Sequence, residues 1–226
     1  MKIKSILGAG IAILLLGSCT KDFLQENPPN FTTADGLYSN VDGFEAGING
    51  LYSLVREERD GLKYTGGFGK IDLKSQIYLA GTDNIATGST GGLTTIMADW
   101  DKNDPTDSNL NEMFLWLYKV VRSSNQIIHR AETADVNWDD NTKNRVLAEA
   151  HTIRAWAYRH LTYLWGDVPL ITEEISGENI QTDLTREKVA VIRQLMIKDL
   201  KFGAEHLDWT PYKAGRLTKG VAQTYL

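Results

Sequence analysis

The fold of this chain is decided by the stretch from Glu149 to Ile171, which reads EAHTIRAWAYRHLTYLWGDVPLI. It overlaps a segment, residues 141–164, in which apolar residues recur at helical spacing. The residues on its first apolar face are Val146, Ala150, Ile153, Ala157, Leu161 and Leu164. Trp156 and Tyr163 fall on another face, so both sides are predicted to be partly buried. A helix that is apolar on more than one face packs between other helices.

Helical spacing also predicts the neighbours of this helix. The predicted helices lie at about residues 42–56, 108–131, 186–207 and 216–226, and Ser108 is placed to cap the second of them. Consecutive helices of this kind form antiparallel pairs, which stack into an α-solenoid of tetratricopeptide type. We therefore predict a mainly α fold in which residues 165–185 form a long insertion. At least half of residues 108–226 should be helical.

The amino-terminal part of the chain has a different organisation. Residues 19–40 are polar and contain Asn27-Pro28-Pro29-Asn30, which is typical of an extended tether. Residues 41–107 combine one helix with a loop-rich segment that is rich in Gly, Thr, Asp and Asn. Gly43, Gly47 and Gly50 weaken the prediction of that helix, because each costs about 1 kcal/mol relative to Ala. Long loops in compact proteins are usually functional, so we expect a site in the loop-rich segment.

The first 19 residues have the pattern of an export signal that ends at a cysteine. Lys2 and Lys4 precede an apolar run, and Gly17-Ser18 then precede Cys19, the only cysteine in the chain. The run is shorter than the roughly 20 apolar residues that a membrane-spanning helix needs. We interpret residues 1–18 as a lipoprotein signal peptide and Cys19 as the lipid attachment site. An ordinary signal peptide that happens to contain a cysteine is the alternative.

The charge of the chain limits its partners. Removal of residues 1–18 removes two lysines and no acidic residue, so the net charge changes from −5 to −7. An acidic chain of this kind is a poor nucleic-acid binder, because phosphate contacts require Lys and Arg. Once the single cysteine carries lipid, the mature chain has none for disulfides and depends on packing.

Several stretches resemble one family. They are NGLYSLV at residues 49–55, WLYKVVRSSNQII at residues 116–128, the stretch at residues 149–171, and GRLTKGVAQTYL at residues 215–226. Their order and spacing, together with Cys19, resemble the amino-terminal part of SusD/RagB-family outer-membrane lipoproteins. Lys21-Asp22, just after the cysteine, is similar to a surface-export signal of Bacteroidetes lipoproteins.

The resemblance implies a function and a location. Such proteins lie on the cell surface, anchored to the outer membrane, and bind glycans or occasionally peptides. They partner a SusC-like TonB-dependent transporter, over which they act as a lid, and they perform no chemistry. The chain is thus expected to be neither an enzyme nor a cofactor-binding protein.

A candidate ligand site lies in the loop-rich segment. Trp100 stands beside Asp101 and Asn103, which places an aromatic face for a sugar ring next to groups that can hydrogen-bond hydroxyls. The alternative is that Trp100 only packs the loop onto the helices. Because functional residues concentrate on loops, the ligand-binding hypothesis names Trp100, Asp101 and Asn103.

Other functions have weaker support in the sequence. Two acidic stretches, at residues 99–110 and 135–146, begin like calcium-binding loops but lack the glycine and the final glutamate. A hydrolase would need a close pair of carboxylates, and no such pair is evident. A lipid-anchored helical scaffold that binds only protein is the alternative function. The chain also ends inside an amphipathic pattern, so we expect further helical repeats beyond it.

Overall fold

The computed structural model describes residues 33–60, 106, 108–175 and 183–226. The helices in these residues are α1 (Ala34–Leu37), α2 (Val41–Asp60), α3 (Ser108–Thr133), α4 (Asp140–Trp165), α5 (Val189–His206) and α6 (Lys219–Tyr225). The strands β1 (Val168–Pro169) and β2 (Arg186–Glu187) pair antiparallel. The predicted mainly α fold is confirmed, and helices occupy more than half of residues 108–226.

The chain divides into two units, Met1–Gly36 and Leu37–Leu226. Helices α2 to α6 all belong to the second unit. Tyr38 is buried against Phe44, with ring centroids 4.9 Å apart. The folded unit therefore begins a few residues before position 41, inside the segment that was predicted as a tether.

Local interactions fix the ends of α4 close to the predicted positions. Asp139 has an extended backbone and accepts a hydrogen bond of 2.9 Å from the Thr142 amide, which satisfies one free donor of the first turn. The hydroxyl of Thr142 donates to the same carboxylate at 2.8 Å, and the two hydrogen bonds hold the pKa of the Asp139 carboxyl below its usual value. Gly166 ends the helix with φ 69°, a conformation that residues with a Cβ rarely adopt.

The long helices pack as antiparallel neighbours. Phe114, near the start of α3, packs edge-on against Trp165 at the end of α4, with centroids 5.3 Å apart. Asn125, further along α3, contacts Arg154, which lies earlier in α4. The helix α5 also packs on α4 and runs antiparallel to it, so α4 contacts two helices, as expected for a helix with two apolar faces. Tyr163, however, is 73% exposed, so its predicted partial burial is wrong.

The connection after α4 is held by hydrogen bonds to its backbone. The hydroxyl of Tyr158 donates to the Ile171 carbonyl at 2.9 Å and accepts from the Ile171 amide at 2.7 Å. Tyr118 donates to the Pro169 carbonyl at 2.6 Å. Burial raises the pKa of Tyr158 to about 12, so its hydroxyl keeps its proton and can donate. These bonds fix the Gly-Asp-Val-Pro turn on the α3–α4 pair.

Two predicted helix starts are wrong by about three residues. The helix α5 begins at Val189 rather than at residue 186, because Arg186 and Glu187 pair with Pro169 and Val168. The carboxylate of Asp167 accepts from the Val189 amide at 3.0 Å and from Lys188 Nζ at 2.9 Å. The helix α6 begins at Lys219 rather than at residue 216, after Gly215 turns the chain with φ 83°.

Two glycines in α2 are required by close packing rather than being weak points. A Cβ at Gly43 would overlap the Leu37 carbonyl, and a Cβ at Gly47 would lie 2.7 Å from the Tyr38 ring. Gly50 has no such neighbour within 4 Å. Asn40 caps this helix by accepting a 2.9 Å hydrogen bond from the Gly43 amide. Because Gly43 and Gly47 have no side chain, the chain before α2 can pack directly on the helix. The lower helix propensity of glycine is the cost of this contact.

Candidate functional site

The predicted site residues lie outside the described part of the chain. Cys19, the proposed lipid attachment site, and Trp100, Asp101 and Asn103, the proposed ligand site, all fall on residues that the structure does not describe. Their roles stay predictions. The described residues contain two buried charge clusters and one exposed aromatic loop.

The first charge cluster joins α3, α4 and α5. The carboxylate of Asp199 is fully buried and accepts from Arg154 Nε at 2.7 Å and from Arg154 Nη2 at 2.8 Å. His151 Nδ1 lies 2.7 Å from the same carboxylate. Arg154 also donates to Asn125 Oδ1 at 2.9 Å, and Asn125 donates to the Ile171 carbonyl.

The pKa of Asp199 reflects this environment. Burial alone would raise the pKa of the carboxyl, but hydrogen bonds from His151 and Arg154, together with the charge of Arg154, outweigh burial. The pKa of Asp199 therefore lies below its usual value, and the carboxylate is ionised at neutral pH.

The second charge cluster joins α2, α4 and the segment before α6. Glu149 is buried and accepts from Arg145 at 2.8 Å and from Arg216 at 2.7 Å. Both arginines also bind Glu45, and Arg216 donates to Asn49 Oδ1 at 2.8 Å. The charges of the two carboxylates and the two guanidinium groups cancel. Each guanidinium contacts carboxylates on two different helices.

Tyr52 closes the second cluster. The Arg216 guanidinium lies 4.9 Å from the centre of the Tyr52 ring, and the Tyr52 hydroxyl accepts a 2.8 Å hydrogen bond from the Leu217 amide. Burial, with the nearby charge of Glu149, raises the pKa of Tyr52. The phenol thus stays neutral and serves as a fixed acceptor for the segment that leads into α6.

Both clusters connect helices to one another. Their charged groups are paired with one another and are turned toward helix interfaces, so they hold the helices in register. Among the described residues, no three His, Cys, Asp or Glu side chains are grouped so that they could hold a metal ion. No helix in the described ranges is long and apolar enough to cross a membrane.

The exposed aromatic loop connects α5 to α6. Trp209 is 67% exposed and Tyr212 is 54% exposed. Only Thr210 and Pro211 lie between these two aromatic residues in the sequence. Sequence reasoning missed this loop, although a Trp and a Tyr close together in a polar, proline-containing stretch were a usable signal. Two exposed aromatic residues this close together form a candidate contact surface, because exposed apolar patches, rather than single exposed residues, mark interaction sites.

The chain belongs to the SusD-like family. Residues 70–226, more than half of the chain, match a SusD-like family model described as starch-binding and associating with the outer membrane. The predicted family is thereby confirmed. The mainly helical structure is the one expected for this class of protein.

Individual relatives agree with the family assignment. The chain is 26% identical over 232 residues to SusD-like protein P25 of Formosa agariphila, which covers 98% of this chain and 42% of the relative. It is 25% identical over 235 residues to a SusD-like protein of Bacteroides ovatus, covering 100% of this chain and 38% of that one. The chain thus spans about two fifths of the length of these relatives.

Solved structures show the same fold. A SusD superfamily protein from Bacteroides vulgatus superposes with a TM-score of 0.69 at 22% identity, covering 84% of this chain and 39% of that chain. A laminarin-binding SusD-like protein superposes with a TM-score of 0.64 at 20% identity, covering 82% of this chain and 39% of that chain.

Proposed function

We propose that this chain belongs to a cell-surface glycan-binding lipoprotein that captures oligosaccharide or polysaccharide and passes it to a SusC-like TonB-dependent transporter. The observation that carries the proposal is the match of residues 70–226 to a family described as starch-binding and associating with the outer membrane. Capture is non-covalent, so the protein acts as a binding protein and not as an enzyme, without a cofactor.

The architecture suits such a role. Helices held together by buried ion pairs form a stiff support, and a stiff support lowers the entropy lost when a ligand binds. Sugar rings are bound by exposed aromatic faces with hydrogen-bonding groups beside them. In the loop-rich segment, Trp100 would supply the face, and Asp101 and Asn103 would supply the hydrogen bonds.

Affinity electrophoresis tests glycan binding directly. The purified protein is run through native gels that contain soluble starch, laminarin or xyloglucan, with a polysaccharide-free gel as reference. Retardation in at least one of these gels is the expected result. A protein that migrates equally in all gels but co-purifies with other surface proteins would favour the alternative, a lipid-anchored helical scaffold without glycan binding.

Replacement of Trp100 by alanine should weaken glycan binding and leave the thermal stability nearly unchanged, because a sugar platform has one face in solvent. Binding is measured by affinity electrophoresis and stability by the melting temperature. If Trp100 instead packs the loop onto the helices, the variant should lose about 3–5 kcal/mol of stability. Such a drop would contradict the platform role.

Replacement of Cys19 by alanine should abolish lipidation and release the protein from the outer membrane. The thiol is the acceptor of the lipid in the proposed anchor, and more than one acyl chain is needed for stable attachment. Palmitate labelling and membrane fractionation measure the effect. Labelling of the alanine variant equal to that of the wild type would contradict the assignment of Cys19.

A further inference from the structure

The loop between α5 and α6 presents two exposed aromatic rings, each held by its neighbours, and Lys213 Nζ lies 5.0 Å from the centre of the Tyr212 ring. The Arg145 guanidinium lies 3.9 Å from the centre of the Tyr212 ring. Arg145 is itself held by Glu149 and Glu45 in the second charge cluster. Tyr212 is thus stacked on a cation that cannot easily move, while more than half of its surface stays in solvent.

Trp209 is seated in a comparable way. A Cβ at Gly220 would lie 3.4 Å from Cζ3 of the Trp209 ring, so the indole rests close to a backbone that carries no side chain. Two thirds of Trp209 nevertheless remain exposed. An exposed indole with a fixed edge offers a flat apolar surface at little cost in side-chain entropy.

The backbone of the loop is fixed as well. The Lys219 amide donates to the Asp208 carbonyl at 2.9 Å, and the Arg216 amide donates to the Lys213 carbonyl at 3.0 Å. The Leu217 amide is bound by the Tyr52 hydroxyl. The loop is therefore tied at both ends to elements that the charge clusters already hold.

The chemistry of this surface favours a carbohydrate. The C–H groups on one face of a pyranose ring carry a partial positive charge and are attracted to the negative face of an aromatic ring. Exposed polar side chains at Asp208, Thr210 and Lys213 lie beside the two rings in sequence and can hydrogen-bond hydroxyls. An apolar protein partner would instead be matched by a continuous apolar surface.

We propose that the α5–α6 loop is a second glycan-contact site, in which Trp209 and Tyr212 stack against pyranose rings of the bound chain. This inference rests on the proposed glycan-binding function, and it assigns a glycan contact to the α5–α6 loop in addition to the one proposed at Trp100. Two contact sites on one polysaccharide would raise the overall affinity through effective concentration.

The test compares Trp209→Ala with the wild-type full chain in native gels containing soluble starch, laminarin or xyloglucan. We expect the variant to bind the polysaccharide that retards the wild type roughly tenfold more weakly. Its melting temperature should stay within a few degrees of the wild-type value. Trp209→Phe should retain most of the affinity, because a phenyl ring still offers a flat face. Tyr212→Ala should weaken binding as well.

Tyr163→Ala is the matched control. Tyr163 is 73% exposed, but it lies 18 residues after Arg145 in α4, about 27 Å along the helix. Its removal should leave the affinity unchanged. If the wild type is retarded and Trp209→Ala binds the same polysaccharide equally well, the second site is wrong. The proposed function would then still stand.

Two other outcomes also decide the matter. A wild type that none of the three polysaccharides retards would contradict the proposed function and, with it, this inference. Glycan binding that is unchanged in Trp209→Ala, together with weaker co-purification of a transporter, would assign the rings to a protein contact and overturn the glycan site.

Discussion

Replacement of Asp199 by alanine is expected to lower the free energy of unfolding by about 3–5 kcal/mol. Asp199 is fully buried and neutralises Arg154, which is buried too. Without the carboxylate, Arg154 would keep its charge in the interior, with Asn125 Oδ1 at 2.9 Å and the His151 ring nitrogen at 3.2 Å as its remaining polar neighbours. Urea unfolding followed by far-ultraviolet circular dichroism measures the change.

Two variants control this prediction. Asp199→Asn keeps the shape and one acceptor oxygen but loses the charge, so its loss of stability should be smaller than that of the alanine variant. Glu205→Ala removes an exposed acid from the same helix and should change the stability by less than about 0.5 kcal/mol. A loss in Asp199→Ala no larger than that of Glu205→Ala would contradict the role given to the buried pair.

The same pair gives a pH dependence of known sign. The pKa of Asp199 is lower in the folded protein than in the unfolded chain. Its contribution to stability is therefore complete above the unfolded value, about pH 4, and is lost as the pH falls through the folded value. The stability difference between wild type and Asp199→Asn should thus be largest near neutral pH and shrink below about pH 4.

The helical framework could be predicted because its signals are local. The spacing of Val146, Ile153 and Leu161 defines a face of α4, and the three residues are buried as that face requires. Likewise, Gly166 ends the helix because the next turn needs a positive φ. Starts of α5 and α6 were misplaced because strand pairing at Arg186 and the turn at Gly215 depend on distant partners.

The charge clusters could not be predicted in the same way. Glu149 lies one helical turn from Arg145, so this pair has a local signal in the sequence. The other partners, Glu45 for Arg145 and Asp199 for Arg154, lie far away in the chain, and no local pattern indicates them. In the structure Arg154 forms a buried ion pair with Asp199. The exposure of Trp209 could not be predicted from local spacing, because it depends on how the ring lies against Gly220 of α6.

Replacement of Gly203 by alanine is expected to destabilise the protein by about 1–3 kcal/mol, although alanine is the better helix former. A Cβ at Gly203 would overlap Thr152 Oγ1 and lie 3.2 Å from the Ala222 Cβ. Gly203 thus lies where α4, α5 and α6 approach one another closely. Gly50→Ala, at a helical glycine with open space around it, is the control and should not destabilise.

Thr152 offers a second-site test of the same contact. Its hydroxyl is buried and has no hydrogen-bond partner in the described part of the chain, so Thr152→Ala removes an unsatisfied polar group and should change stability by less than about 1 kcal/mol. The new methyl group at position 203 would then fill the space that Thr152 leaves. The double variant should therefore be more stable than Gly203→Ala alone. Strictly additive losses in thermal or urea unfolding would mean that the two side chains do not compete for this space.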